Sequence, residues 1–244
     1  MENNDLKKYS VFQNLEKEKI RTDPFPHIII ENALNEEIHR NISDNFPGEN
    51  NFNTNFSENN ARDNITNNDD ESKKLNIHVR NFLHYHSSIG FWQEILELFG
   101  DYILETHDNF FSNISELREI NLSKDPVQYN KDNKNYNPKN KSIFLQSSAA
   151  VNTPVTSEKA VRSVHLDVLN KLYAALYYLR KPEDDSQGGD LQIYKWPEKF
   201  DFADKYDVAE NMKFNQIKFD VLNQLDYKAN SLIFFINSLD ALHG

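Results

Sequence analysis

The hydrophobic and polar positions in the first half of the chain repeat with helical spacing. In "SSIGFWQEILELFGDYILETHDNFFSNISEL", apolar residues recur every three or four positions and charged residues occupy the opposite face, which predicts helices packed on one side. The repeating apolar positions are Phe91, Ile95, Leu98, Tyr102 and Ile103. Nearer the N-terminus, "DPFPHIIIENALNEEIHRNISDNFP" predicts a short strand around His27 to Ile30 and then a helix capped near Asn35. The first half is therefore predicted to be mainly helical.

The second half changes to short apolar or alternating runs separated by polar or Gly-bearing turns, which is the pattern of antiparallel strands. The runs are "SIFLQSS", "AVRSVHLDV", "KLYAALYYLR", "DLQIYKW", "QIKFDVL" and "NSLIFFINS". Helices followed by a series of strands predict an α+β fold. We expect one domain over residues 1–244, in which helical support at about 1–123 braces a sheet sandwich or jelly-roll core at about 142–244.

Two polar stretches lack apolar periodicity and predict long surface loops. Glu49 to Asp70 is rich in Asn, and Lys124 to Lys141 is rich in turn-forming residues. Long loops in compact domains are commonly lids or binding loops. We therefore expect substrate specificity to lie in these two stretches.

Composition and charge narrow the classes of function. The net charge is −11 at pH 7 with no block of Lys and Arg, which argues against nucleic acid and anionic membranes as partners. The N-terminal "MENNDLKKYSVF" lacks the apolar segment of a signal peptide, and no run approaches the roughly 18 apolar residues of a membrane span, so a soluble cytoplasmic protein is expected. Because the chain has no cysteine, only His, Asp and Glu are available as strong metal ligands.

One short stretch, "VRSVHLDVLN", combines an imidazole and a carboxylate at the spacing of a strand face. On a strand, His165 and Asp167 project to the same side while Leu166 turns away. A third ligand is available in His243, which follows the most apolar run of the chain. Two histidines and one carboxylate form the facial triad that holds non-haem Fe(II) and leaves positions open. By itself, however, an H-x-D tripeptide is also compatible with an ordinary polar pair on a strand.

The order of motifs adds a family resemblance. "HLD", "LYYLR", "GGDLQIY" and "NSLIFFINSLDALHG" together resemble the iron(II)- and 2-oxoglutarate-dependent dioxygenases of the prolyl-4-hydroxylase-like branch, and the N-terminal strand and helix are similar to theirs. The resemblance implies a double-stranded β-helix (jelly-roll) core with flanking N-terminal helices. It implies iron ligation by His165, Asp167 and His243, with 2-oxoglutarate as cosubstrate and ascorbate as an accessory reductant.

Further residues and the reaction follow from the same resemblance. Tyr178 matches a tyrosine that faces the cosubstrate, and Leu176 and Leu191 match apolar residues that line its pocket. The implied reaction is hydroxylation of a small molecule or a peptidyl residue, with decarboxylation of 2-oxoglutarate to succinate. Because halogenases of the family lack the carboxylate ligand, Asp167 favours hydroxylation over halogenation.

The sequence departs from the family pattern at its end. The family places an Arg or Lys, which binds the distal carboxylate of the cosubstrate, about one strand after the distal histidine, whereas this sequence stops at Gly244. Arg162 and Arg180 do not occupy the family's anchor position. We therefore expect the chain to lack the last strands of the core, which would leave "SLIFFINS" as an exposed sheet edge through which a homodimer forms.

Other interpretations of the sequence remain open. The missing anchor also fits a non-catalytic jelly-roll protein that binds a metal or a ligand. A cupin-type enzyme without a cosubstrate is disfavoured, because that class supplies more histidine ligands. His84 and His86 repeat the i, i+2 spacing but have no evident third ligand, so we interpret them as ordinary surface or core residues.

Overall fold

The structure, a computed structural model, describes residues 3–15, 17–123, 142–156 and 161–244. The helices are α1 Asn3–Leu6, α2 Glu36–Asp44, α3 Ile77–His86, α4 Ile89–Thr106, α5 Ile114–Arg118 and α6 Phe202–Glu210. The strands are β1 His27–Glu31, β2 Arg62–Thr66, β3 Asn121–Leu122, β4 Ser142–Ile143, β5 Ser148–Asn152, β6 Tyr173–Tyr178, β7 Leu191–Lys195, β8 Asp220–Leu225 and β9 Ser231–Ile236. The fold is therefore mixed α+β, as expected. The predicted loop Lys124 to Lys141 lies outside the described residues.

The chain divides into two compact units. The first contains the described residues of Met1–Ser10, Asn45–Phe52 and Asn64–Ala150, and the second those of Val11–Asp44, Asn53–Asp63 and Val151–Gly244. The second unit thus combines β1 and α2 from the N-terminal part of the chain with β6 to β9 from the C-terminal part. The single domain predicted for residues 1–244 stays a prediction.

Helices α3 and α4 form the centre of the first unit. Each begins at a capping side chain, because Asn76 accepts a hydrogen bond from the backbone N–H of His78 (2.9 Å) and Ser88 accepts one from that of Phe91 (3.4 Å). The apolar face of α4 is buried, as its helical spacing predicts, and the indole N–H of Trp92 donates to the backbone carbonyl of Leu117 (3.0 Å). The centre of the first unit is therefore helical, with the apolar face of α4 buried in its core.

The second unit contains an antiparallel sheet in the order β1-β9-β6. Phe235 of β9 pairs with His27 of β1 on one side and with Ala174 of β6 on the other. Every residue of β9 is buried, which explains its uninterrupted apolar run. The expectation that "SLIFFINS" forms an exposed sheet edge is therefore wrong, since β9 is the central strand. The predicted homodimer was based on that exposed edge, so it no longer has this structural support and stays a prediction.

A second antiparallel sheet of the same unit carries the C-terminal segment. Strands β7 and β8 pair with each other, and the backbone of His243 forms bridges to Ile193 of β7 and to His165 on its other side. One buried apolar cluster draws on both sheets. Its members are Phe25, Leu191, Ile193, Leu225, Ile233, Phe235 and Ala241. The two sheets therefore face each other across this cluster.

Several local expectations are confirmed and others are corrected. The predicted N-terminal strand and helix correspond to β1 and α2, and the side chain of Asn35 accepts a hydrogen bond from the backbone of Glu37 (2.9 Å). The stretch Glu49 to Asp70 is not wholly loop, because it contains β2. Helix α6 was not expected from the apolar pattern. The "HLD" stretch is not a strand, since only His165 forms a bridge.

Candidate metal centre

His165 and His243 lie directly opposite each other in an antiparallel bridge. The backbone N–H of His165 donates to the carbonyl of His243 (2.9 Å), and that of His243 donates to the carbonyl of His165 (3.1 Å). Residues paired in this way carry their side chains on the same face. The two imidazole rings accordingly lie with their centroids 4.4 Å apart. The bridge therefore fixes two of the three candidate ligands relative to each other.

Both imidazoles are oriented by a hydrogen bond to a nearby backbone carbonyl. The Nδ1–H of His165 donates to Ser163 (2.8 Å), and the Nδ1–H of His243 donates to Ala241 (2.9 Å). In a neutral imidazole with the proton on Nδ1, Nε2 carries a free lone pair. The Nε2 atom of His165 is buried and has no hydrogen-bond partner among the described residues. This tautomer, with Nδ1–H bonded to a backbone carbonyl, is typical of a histidine that binds a metal ion through Nε2.

Burial keeps both imidazoles in the neutral form that binds metal. The pKa of His243 is lowered to about 4, chiefly by burial and also by the nearby His165 and Arg162, against the raising effects of the hydrogen bond to Ala241 and of the Asp167 carboxylate. Burial also lowers the pKa of His165. Metal binding has to displace protons from its ligands. Near neutral pH, both histidines are therefore mainly neutral, and a metal ion does not have to displace a proton from them.

Asp167 adds a carboxylate to the two imidazoles. Its Oδ1 atom accepts a hydrogen bond from the ammonium group of Lys171 at 3.0 Å, and its side chain is largely buried, with an exposed fraction of 15%. Lys171 itself is about half exposed. The carboxylate therefore keeps its second oxygen for another partner.

The three side chains converge closely enough for one ion. One ligand atom from each of His165, Asp167 and His243 lies within 4.8 Å of the other two. Three atoms with no separation above 4.8 Å all lie within about 2.8 Å of a common point, by plane geometry. Metal bonds to imidazole nitrogen and carboxylate oxygen are about 2.0–2.2 Å long. Each donor therefore has to move by at most about 0.8 Å to reach an ion.

The site adjoins the buried cluster between the two sheets. The ring of Phe235 lies 4.8 Å from that of His243, measured between centroids, and only 6% of His243 is exposed. The next residue, Gly244, exchanges two backbone hydrogen bonds with Gln192 of β7 (2.9 and 3.1 Å). His243 is thus held on a packed segment, which limits its movement.

The three residues predicted to contact a cosubstrate lie in the second unit. Leu191 is buried in the cluster between the sheets, whereas Leu176 on β6 is 37% exposed. Tyr178 packs against that cluster, and its hydroxyl donates to the backbone carbonyl of Gly189 (3.1 Å). Gly189 has a φ of 82°, a conformation that favours glycine. The predicted roles of Tyr178, Leu176 and Leu191 stay predictions.

The other residues considered in the sequence have separate environments. The guanidinium of Arg180 donates to the backbone carbonyls of Tyr227, Asp184 and Ser186 (3.1, 3.1 and 2.6 Å), so it stabilises the connection that follows β6.

His84 and His86 both lie in α3, where a separation of two residues directs them to different sides. His84 is exposed and His86 is buried. These two histidines do not form a metal pair.

Two further residues near the site, Lys171 and Asn237, were not predicted from the sequence. The ion pair of Lys171 with Asp167 could have been predicted, because a spacing of four residues allows such a pair across a turn. Asn237 follows the central strand β9, and its amide bonds to the backbone that follows Asp167. Its sequence context gave no signal, because that contact joins residues 69 positions apart.

Comparisons with protein-family models, with curated proteins and with solved structures found no match. Within the described part of the chain, every helix is too short or too polar to cross a bilayer.

Proposed function

We propose that the protein is an Fe(II)- and 2-oxoglutarate-dependent oxygenase that hydroxylates a small molecule or a peptidyl residue. The observation that carries the proposal is the convergence of His165, Asp167 and His243, with one ligand atom of each within 4.8 Å of the others. Two imidazoles and one carboxylate are the donors of the non-haem Fe(II) facial triad. The unpartnered Nε2 of His165 supports the fit, because a buried polar atom without a partner is costly unless something binds it.

The path of the chain in the second unit supports a jelly-roll core. From His165 onward, the chain passes from the second sheet to β6 of the first, returns to β7 and β8, crosses to β9 of the first, and returns to His243. Facing antiparallel sheets joined by such crossings are the architecture of a jelly roll. A double-stranded β-helix, the form that the motif resemblance implies, is therefore part of the proposal.

The residues of this chain divide the work around such an ion. His165 and His243 would bind it through Nε2, and Asp167 through a carboxylate oxygen. When bound, Fe(II) would supply the oxidation of 2-oxoglutarate by O₂ to succinate and CO₂, with one oxygen atom inserted into a substrate C–H bond. The apolar cluster that contains Phe235 and Leu191 shields the inner side of the site from water. Tyr178 would exchange its hydrogen bond to Gly189 for one to the cosubstrate carboxylate.

A second candidate function is metal or ligand binding without catalysis. The observation that favours it is that Arg180 already donates hydrogen bonds to three backbone carbonyls. Its guanidinium is therefore not available for a bidentate pair with the distal carboxylate of 2-oxoglutarate. Calorimetric titration with 2-oxoglutarate in the presence of a divalent ion separates the two functions. Metal-dependent 2-oxoglutarate binding favours the oxygenase, and metal binding without it favours the binding protein.

The activity test measures succinate formed from 2-oxoglutarate with Fe(II), ascorbate and a panel of small molecules and peptides. The His165→Ala variant removes one ligand. The matched control is His84→Ala, which removes an exposed histidine of α3 that lies outside the site. We expect wild type and His84→Ala to form succinate at equal rates and His165→Ala to form none. Equal rates for wild type and His165→Ala across the panel would contradict the proposal.

A further inference from the structure

A buried asparagine ties down the segment that carries the carboxylate ligand. Asn237 is fully buried, immediately after the central strand β9. Its Nδ2 group donates to the backbone carbonyls of Val168 (3.0 Å) and Lys171 (3.1 Å). Its backbone N–H donates to the carbonyl of Leu172 (3.0 Å). One residue thus makes three hydrogen bonds to the turn that directly follows Asp167.

The orientation of this amide is fixed by its partners. Both acceptors of Nδ2 are backbone carbonyls, which can only accept, so the reverse orientation would place Oδ1 of Asn237 against two other oxygens. A substitution that removes the two N–H donors therefore removes both contacts to the turn.

The two ends of the ligand segment are held in different ways. His165 is fixed by its backbone bridge to His243. Asp167 lies beyond that bridge and, within the described chain, belongs to no strand. The outer side of the turn that follows faces solvent, since Val168 is 64% exposed. The contacts to Asn237 therefore anchor the turn to the central sheet from within.

We infer that Asn237 is a positioning residue, which holds the carboxylate of Asp167 at the distance from His165 and His243 that a metal ion requires. The inference rests on the proposed metal site and adds to it a residue outside the ligand set. Its physical basis is that residues that orient metal ligands typically change metal affinity by about 10–100-fold when they are replaced. Asn237 acts through the backbone of residues 168–172, not through contact with the ion.

The chain offers a matched control in Asn230, at the opposite end of β9. Asn230 is also buried, and its side-chain amide also binds backbone groups, donating to the carbonyl of Leu34 and accepting from the N–H of the same residue (both 2.9 Å). Replacing it by alanine removes a comparable pair of tethers from the same sheet. Its φ of 58° makes alanine unfavourable there, so this control disturbs the fold at least as much.

The test is calorimetric titration of the full chain with Co²⁺, together with the thermal unfolding midpoint of each variant. We expect Asn237→Ala to raise the Co²⁺ dissociation constant by about 10–100-fold. Asn230→Ala should leave it within about threefold of wild type, whatever its unfolding midpoint. Asn237→Ser, which keeps one hydroxyl donor, should fall between wild type and Asn237→Ala, and it replaces Asn237→Ala if the latter does not fold.

The outcomes separate this inference from the proposed function. Unchanged affinity in Asn237→Ala, or an equal loss in Asn237→Ala and Asn230→Ala, would overturn the positioning role while leaving the metal site intact. Failure of wild type to bind Co²⁺ more tightly than His165→Ala would overturn the metal site, and the inference with it.

Discussion

Replacing Gly244 with alanine should weaken metal binding, although Gly244 contributes no ligand. A Cβ atom on Gly244 would lie 3.0 Å from the carbonyl carbon of Ser163, 3.0 Å from the backbone nitrogen of Val164 and 3.1 Å from the carbonyl oxygen of Ser163. All three atoms belong to the backbone immediately before His165. The alanine methyl group would therefore push apart the two segments that carry His165 and His243.

The size of the effect follows from these distances. Ordinary contacts of a Cβ atom begin at 3.4 Å, so the two backbone segments have to separate by at least about 0.4 Å. This separation comes in addition to the displacement of up to about 0.8 Å that the three donors already need in order to reach an ion. We therefore expect the metal dissociation constant to rise by about tenfold or more, in the range found when the support of a ligand is disturbed. Overpacking of this kind should also lower the free energy of unfolding by about 1–3 kcal/mol.

The assay is calorimetric titration of Gly244→Ala with Co²⁺, alongside chemical denaturation. Gly48→Ala is the matched control, because a Cβ atom on Gly48 meets nothing within 4 Å and its φ of −78° suits alanine. The control should bind Co²⁺ as wild type does. If Gly244→Ala bound Co²⁺ with the affinity of wild type, the distance between these backbone segments would not govern ligand geometry, and the reasoning would be wrong.

Three further predictions concern charge, the cosubstrate and acid stability. Lys171→Met should tighten Co²⁺ binding by up to about fivefold at low salt and by less at high salt, because it removes a cation 3.0 Å from the carboxylate of Asp167; weaker binding would show that Lys171 supports the ligand instead. Tyr178→Phe should raise the 2-oxoglutarate dissociation constant severalfold and leave Co²⁺ affinity unchanged, as calorimetry with each ligand can check; an unchanged 2-oxoglutarate affinity would remove Tyr178 from the cosubstrate site. Burial lowers the pKa of His86 from its ordinary value of 6.5 to about 4. As the pH falls between these two values, the unfolded state takes up a proton before the folded state does, and the free energy of unfolding decreases. Between pH 7 and pH 4.5, the free energy of unfolding of wild type should fall by about 2 kcal/mol more than that of His86→Asn, as urea denaturation at each pH can measure. Equal decreases in the two proteins would refute the lowered pKa of His86.

The elements that could be predicted are those whose burial pattern is set locally. The spacing of Phe91, Ile95 and Ile103 predicted α4 because one face of that helix is buried. Asn35 predicted the start of α2 because capping involves only neighbouring backbone groups. Such signals lie within a few residues of each other, so the sequence alone contains them.

The pairing of strands could not be obtained in the same way. The apolar run "SLIFFINS" was expected at a sheet edge, but its uniform burial reflects a central position between β1 and β6. A long apolar run indicates burial on both faces without naming the neighbouring strands. The partner β1 lies about two hundred residues earlier in the chain, and no local pattern records that contact.

The structure brings together the three residues that were predicted as ligands, but the local structure around them differs from the prediction. His165 and Asp167 were expected to converge because they share one face of a strand, but only His165 forms a bridge, and Asp167 lies outside the strands, just before the turn that follows. The ligand atoms nevertheless come within 4.8 Å of one another. The convergence depends on the pairing of His165 with His243 and on the packing of the turn, both of which are tertiary contacts.

The most direct test of the metal site is X-ray absorption spectroscopy of the full chain loaded anaerobically with Fe(II). We expect one equivalent of iron with two imidazole nitrogens and the remaining donors oxygen, and the loss of one imidazole contribution in His243→Ala. A spectrum with fewer than two imidazoles in wild type, or one that is unchanged in His243→Ala, would contradict the assignment of His165, Asp167 and His243 as the ligands of one ion.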